Sequence, residues 1–104
     1  MPRSVVDVFA ALGDATRLQI VAQLSTSGPQ SIVRLTEGAD VSRQAVTKHL
    51  HALAEAGLVR SARAGRERIW QLQTKRLAEA HRYLDQISSQ WDAAIDRLRA
   101  FVED

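Results

Sequence analysis

The chain has 104 residues and no cysteine. That excludes a disulfide framework, every thiolate metal site and a thiol nucleophile. No apolar run approaches the ~18 residues that a membrane helix needs. Met1-Pro2-Arg3-Ser4 leads into no apolar stretch, so no secretory leader is expected and a cytoplasmic setting is. Aromatic residues number five, and the β-prone runs offer none of the paired stacking positions used by readers of single-stranded nucleic acid. No Gly-rich phosphate loop follows a strand, and no two histidines stand at metal-binding spacing. Neither an enzyme nor a bound cofactor or metal is expected from this inventory.

What is present fits one globular domain, at 45% apolar and 25% charged residues. The net charge of +2 conceals a partition. Residues 1–29 are neutral, 30–76 net +5, and 77–104 net −3. A cationic middle block points to a polyanionic partner.

Val5, Val8, Phe9 and Leu12 share one helical face, predicting a helix over 5–12. Gly13 ends it and Asp14 caps the next, whose apolar stripe within Ala15–Leu24 is Leu18, Val21, Ala22 and Leu24. Ser25-Thr26-Ser27-Gly28-Pro29 reads as a turn. Ile32 and Leu35 mark a short third helix over about Ser31–Glu37, followed by a turn at Gly38-Ala39-Asp40. Ser42 is the expected N-cap of a fourth helix, with Ala45, Val46, Leu50, Leu53 and Ala54 inward and Gly57 as its stop.

Two β-prone runs, Leu58–Arg63 and Arg66–Leu72, flank Ala64-Gly65, where Gly65 can take the positive φ of a tight hairpin. Trp70 and Leu72 alternate on the face expected to cover the core. Lys75 to Val102 contains neither Pro nor Gly, predicting one helix ~40 Å long. In it Leu84, Ile87, Trp91, Ala94, Leu98 and Phe101 stand in steps of 3, 4, 3, 4 and 3, a seven-residue seam that Ile95 and Val102 widen.

A short helix, a tight turn and a Ser-capped helix, over residues 30–56, form a helix-turn-helix arrangement. The hairpin over 58–72 makes it winged. Such a second helix enters a major groove ~12 Å wide and offers polar side chains from its first turns. Ser42, Arg43, Gln44, Thr47 and Lys48 are those side chains here: Arg43 suits guanine and Gln44 adenine. The hairpin adds Arg60, Arg63, Arg66 and Arg68 against Glu67 alone. Planar guanidinium groups suit phosphate, and a narrow tip can place arginine in a minor groove, so Arg63, Arg66 and Arg68 are the expected wing contacts. Arg17 is expected as an anion site or as a structural partner of Asp14.

The last helix exposes more apolar surface than a small core can cover. Phe9, Leu84, Ile87, Trp91, Leu98 and Phe101, from the helices over 5–12 and 75–102, are therefore expected at a homodimer interface. A two-fold axis would set two reading helices ~34 Å apart, one turn of duplex.

Four stretches carry a family likeness: Asp14-Ala-Thr-Arg17, Val41-Ser-Arg-Gln-Ala-Val-Thr-Lys-His-Leu50, Ala56-Gly-Leu-Val59 and Gly65-Arg-Glu-Arg-Ile-Trp-Gln-Leu72. Together they resemble the ArsR/SmtB family of bacterial winged-helix repressors over about residues 5–102, most specifically over Ser42–Leu72. The resemblance implies a homodimer that binds a palindromic operator and represses its own operon, with Arg43, Gln44, Thr47 and Lys48 facing the groove. Metal-sensing members carry a Cys pair on the third helix, where this chain has Ser31-Ile-Val-Arg-Leu-Thr36. Other members use His and carboxylate ligands on the last helix, where His81 and Asp85 stand at i and i+4. Two ligands fall short of the four a mononuclear site wants. The likeness is thus to a Cys-free, non-metal-sensing member with a last-helix Trp such as Trp91, answering to an unidentified small-molecule or protein effector. A pocket for one would lie between the first and last helices, near Tyr83 and Trp91. The competing reading is a winged-helix protein-interaction module without specific DNA binding. Four wing arginines against one glutamate favour phosphate over protein.

Overall fold

Asp14 sets the first corner of the chain. Its side chain accepts a hydrogen bond from the Arg17 backbone N–H at 3.0 Å and so caps a new helix two residues after the previous one ends. The computed structural model describes residues 3–103, and the leader-free reading of Met1-Pro2 falls outside them. The elements run α1 (Arg3–Leu12), α2 (Ala15–Ser27), β1 (Gln30–Ser31), α3 (Ile32–Glu37), α4 (Arg43–Glu55), β2 (Val59–Ala64), β3 (Glu67–Leu72) and α5 (Thr74–Glu103). The architecture is mainly α with a small antiparallel sheet, a winged helix-turn-helix extended by a long last helix. No helix among the described residues is long and apolar enough to cross a membrane.

The core gathers where α1, α2, α3 and α4 meet the sheet. Val8, Leu35, Val46, Leu50, Leu53 and Leu58 are fully enclosed, with Ile20, Leu24, Val59 and Trp70 beside them. Each such side chain contributes about 1.5–3 kcal/mol by leaving water. Ser31 and Ser42 cap α3 and α4 with their Oγ atoms.

Several sequence expectations need correction. In α2 the inward residues are Ile20, Val21 and Leu24, while Leu18 is 53% exposed and Ala22 faces solvent. The stripe is headed by Arg17, at i−3 and i−4 from Ile20 and Val21, a position that a search for apolar residues passes over. Ser25, Thr26 and Ser27 belong to the helix. Their modest helix propensity is tolerated in a last turn, and the stop is Gly28, whose φ of 77° only glycine adopts easily. Ala54 in α4 is exposed rather than inward. The two-residue strand β1 was not anticipated; Gln30 pairs with Trp70 and Ser31 with Ile69, giving the sheet order β1-β3-β2. Two residues are too few to show alternation.

Gly57 ends the α4 turn with φ 78°, and a Cβ there would meet Arg76 Nε at 2.7 Å. At the hairpin tip Ala64 pairs with Glu67, leaving Gly65 and Arg66 as a two-residue loop. Gly65 has φ 66°, and no non-glycine residue among those described has positive φ, the pattern of a type II′ turn. Beyond Ala80, its last buried residue, α5 leaves the body and stretches the molecule to 68 Å.

Candidate nucleic-acid interface

Helix α4 is held from both sides. Val46, Leu50 and Leu53 anchor its inner face in the core. Ser42 Oγ accepts from the Ala45 N–H at 3.2 Å and fixes its start. On the outer face Ser42, Gln44, Thr47 and Lys48 line one open depression together with Ala45 and His51. Arg43 is exposed but stands outside that depression, one step round the helix. Thr47 Oγ1 donates to the Arg43 carbonyl at 2.9 Å.

His51 was not among the expected contacts. Its ring lies 6.3 Å from that of Trp70, tilted by 48°, so it joins the reading helix to the sheet. Its spacing one turn beyond Thr47 and Lys48 was the signal available in the sequence.

The strand register locates the wing arginines. Val59 pairs with Leu72, Ser61 with Trp70, and Arg63 with Arg68. Partners share a face and alternate residues return to it. Arg63 and Arg68 therefore stand on the Trp70 face, outward of the residue that touches His51. Two like charges directly opposite destabilise a hairpin, and an anion between them would reverse that sign. Arg68 Nη1 also donates to Ser61 Oγ at 2.9 Å. Arg66 occupies the turn. Arg60 is on the other face against Gln71; with that amide turned so its oxygen meets the guanidinium, Arg60 Nε and Nη2 donate to it at 2.6 and 2.8 Å.

Behind the reading helix, α2 and α4 meet through three polar side chains. Arg17 Nε donates to the Ala11 carbonyl at 2.6 Å, and its Nη1 lies 3.5 Å from His49 Nδ1. His49 Nδ1 lies 3.9 Å from Asp14 Oδ1. The expected pairing of the Arg17 guanidinium with Asp14 is thus replaced: among the described residues it makes no ion pair within 4 Å, and it closes the end of α1 instead. The backbone N–H of Arg17 holds the Asp14 carboxyl below its ordinary value, assisted by the charges of His49 and Arg17 and by the Thr16 N–H, against a partial desolvation.

The proposed interface residues divide. Phe9 packs partly against the core of its own chain. Leu84, Ile87, Trp91, Leu98 and Phe101 are exposed, Trp91 by 67% and Phe101 by 83%. His81 Nδ1 approaches Asp85 Oδ2 at 3.5 Å on the solvent side of α5. A groove where α1, α2 and α4 meet is lined by Asp7, Arg17, Glu55 and four alanines.

A buried, Ser-capped helix with a polar outer face, flanked by an arginine-rich hairpin, defines a winged helix-turn-helix of the DNA-binding type. A family profile described as a helix-turn-helix domain matches residues 12–62. The HTH-type transcriptional regulator Rv2034 of Mycobacterium tuberculosis is 38% identical over 101 residues, 97% of this chain and 91% of that protein. The solved structure of an ArsR-like transcriptional regulator from Rhodococcus sp. RHA1 aligns with a TM-score of 0.80 at 36% identity, covering 95% of this chain and 92% of that one. The arsenical resistance operon repressor of Escherichia coli is 29% identical over 97 residues, 93% of this chain and 80% of that protein. The chain belongs to the ArsR family of winged-helix, DNA-binding transcriptional regulators.

Proposed function

We propose that this chain is a homodimeric repressor that acts in the cytoplasm on a palindromic operator, its own operon included. The observation that carries this reading is the exposed polar face of α4, where Ser42, Gln44, Thr47 and Lys48 share one depression with His51, whose ring lies 6.3 Å from that of Trp70 in the wing. In this reading Ser42, Arg43, Gln44, Thr47 and Lys48 are the groove-facing set, and Arg63, Arg66 and Arg68 of the hairpin the phosphate or minor-groove contacts. Residues 30–56 act as the helix-turn-helix and 58–72 as the wing, while the helices over 5–12 and 75–102 join two copies. The uncovered seam of Leu84, Ile87, Trp91, Leu98 and Phe101, with Phe9 at its flank, supports that last role.

Repression is supported by the likeness to the arsenical resistance operon repressor. Metal is not the signal in this reading, because the chain has no cysteine, and His81 and Asp85 supply two ligands where about four are needed. An unidentified small-molecule or protein effector would relieve repression by favouring a different spacing of the two reading helices.

The test is a gel-shift titration on the DNA upstream of its own coding sequence, against scrambled DNA, at two salt concentrations. Saturable, salt-sensitive preference for the upstream fragment is the expected result. Equal binding to both fragments would remove autoregulation, and absence of binding at low salt would remove the repressor reading.

A further inference from the structure

His49 stands on the reading helix between a cation and an anion that are both held in place. Its Nδ1 lies 3.5 Å from Arg17 Nη1 and 3.9 Å from Asp14 Oδ1. Arg17 is held by its Nε, which donates to the Ala11 carbonyl at 2.6 Å. Asp14 is held by the Arg17 N–H, which donates to Oδ1 at 3.0 Å. The imidazole is mostly sheltered, at 22% exposure, between Lys48 of the groove-facing set and the fully buried Leu50 in sequence.

A guanidinium has donors only, so its contact with Nδ1 is favourable only where that nitrogen carries a lone pair. A carboxylate has acceptors only and would want a proton there. The shorter approach is to Arg17, which places the ring proton on Nε2. Arg17 then links three helices: it sits on α2, donates to the end of α1 and donates to α4.

We propose that His49 is a positioning residue for DNA reading: its neutral ring receives Arg17 and braces α4 against the corner of α1 and α2. Its use in reading rests on the operator-binding role proposed above. Phosphate contacts tolerate a small shift of the helix, whereas base edges demand register, so the brace acts on sequence preference.

A proton on Nδ1 reverses the choice of partner. The charged ring is repelled by Arg17 and drawn to Asp14, and α4 is then tied to the cap of α2 without the link to α1. Among the described residues Asp14 is the only carboxylate within 4 Å of the ring. Asp7 of α1 and Glu55 of α4 are the other charged groups at this junction, lining the adjoining groove with Arg17.

Wild type, His49→Asn and His49→Leu test this, with circular dichroism to check the fold. Asparagine puts its side-chain oxygen close to the place of Nδ1 and does not titrate; leucine fills the space without an acceptor. In gel shifts at about pH 8, His49→Leu should lose about three- to tenfold of its preference for upstream over scrambled DNA, the worth of one hydrogen bond. His49→Asn should stay within about twofold of wild type. Leucine is the better helix former, so helix propensity would rank the two the other way. At about pH 5.5 the wild type should move toward the leucine variant while the asparagine variant keeps its preference, His51 and His81 being common to all three.

Equal loss on both fragments in His49→Leu, or no rescue by asparagine, would make His49 merely structural and overturn the proposal. A wild type that tracks the asparagine variant in acid would overturn the proton-dependent choice. Nitrogen-15 NMR of the histidine rings reads the brace without DNA. The ring signals that vanish in His49→Asn should report an Nδ1 without a proton at about pH 8; a proton there would mean pairing with Asp14 and overturn the brace. A wild type that prefers neither fragment would remove the repressor reading, and the NMR result would still decide the brace.

Discussion

His49 on the reading helix and Asp14 at the cap of α2 face each other at 3.9 Å, Nδ1 to Oδ1. One carboxylate therefore both starts α2, through the Arg17 N–H, and faces α4 from behind. Replacing Asp14 with alanine should cost about 0.5–2 kcal/mol, the usual loss of an N-cap. Urea unfolding at neutral pH measures it.

The same residue gives an acid dependence. The Arg17 N–H holds its carboxyl below the ordinary aspartate range in the folded chain. Its contribution is present above the aspartate pKa of the unfolded chain and is lost as pH falls through the lower folded value. In Asp14→Asn that part of the acid destabilisation should be missing. Unfolding midpoints between about pH 2 and pH 5, wild type against variant, check the sign.

Leu50 and Leu18 look alike in composition and should behave differently. Leu50 is fully buried on the inner face of α4, and Leu50→Ala should cost about 2–5 kcal/mol. Leu18 is more than half exposed, and Leu18→Ala should stay within about 0.5 kcal/mol of wild type. Equal losses in denaturant melts would contradict the outward placement of Leu18 in α2.

Arg63→Ala should separate stability from binding. It removes one of two like charges paired across the wing, so the fold should hold or gain slightly. DNA affinity should fall at every sequence, and the salt slope should shrink by about 1. A loss confined to one operator sequence would make Arg63 a base reader instead.

Gln44→Ala should act the other way, costing about 1–3 kcal/mol at the cognate site and little on scrambled DNA. Competition gel shifts with both duplexes separate the two behaviours.

Much of this architecture is legible in the chain because local signals agree. Asp14, Ser42, Gly57 and Gly65 mark boundaries by capping or turn chemistry that depends on near neighbours only. The seam of α5 is legible for the same reason, being a spacing within one helix. What the sequence hides depends on distant partners. Strand β1 exists because β3 offers it an edge, and Arg17 faces inward because the Ala11 carbonyl and His49 receive it. His51 joins the reading surface only through its position beside Trp70. The opposition of Arg63 and Arg68 follows from a hairpin register that the two-residue turn sets.

The bond from Thr47 Oγ1 to the Arg43 carbonyl bears on which bases this helix can favour. With its hydrogen committed inside the helix, Thr47 turns a methyl group and oxygen lone pairs outward. A thymine methyl, or the amino group of adenine or cytosine, complements that surface; the paired acceptors of guanine do not. Guanine recognition would then fall to Arg43 and Lys48, so an operator read by this helix should present a thymine, adenine or cytosine edge to Thr47 and its guanine edges to the cationic neighbours.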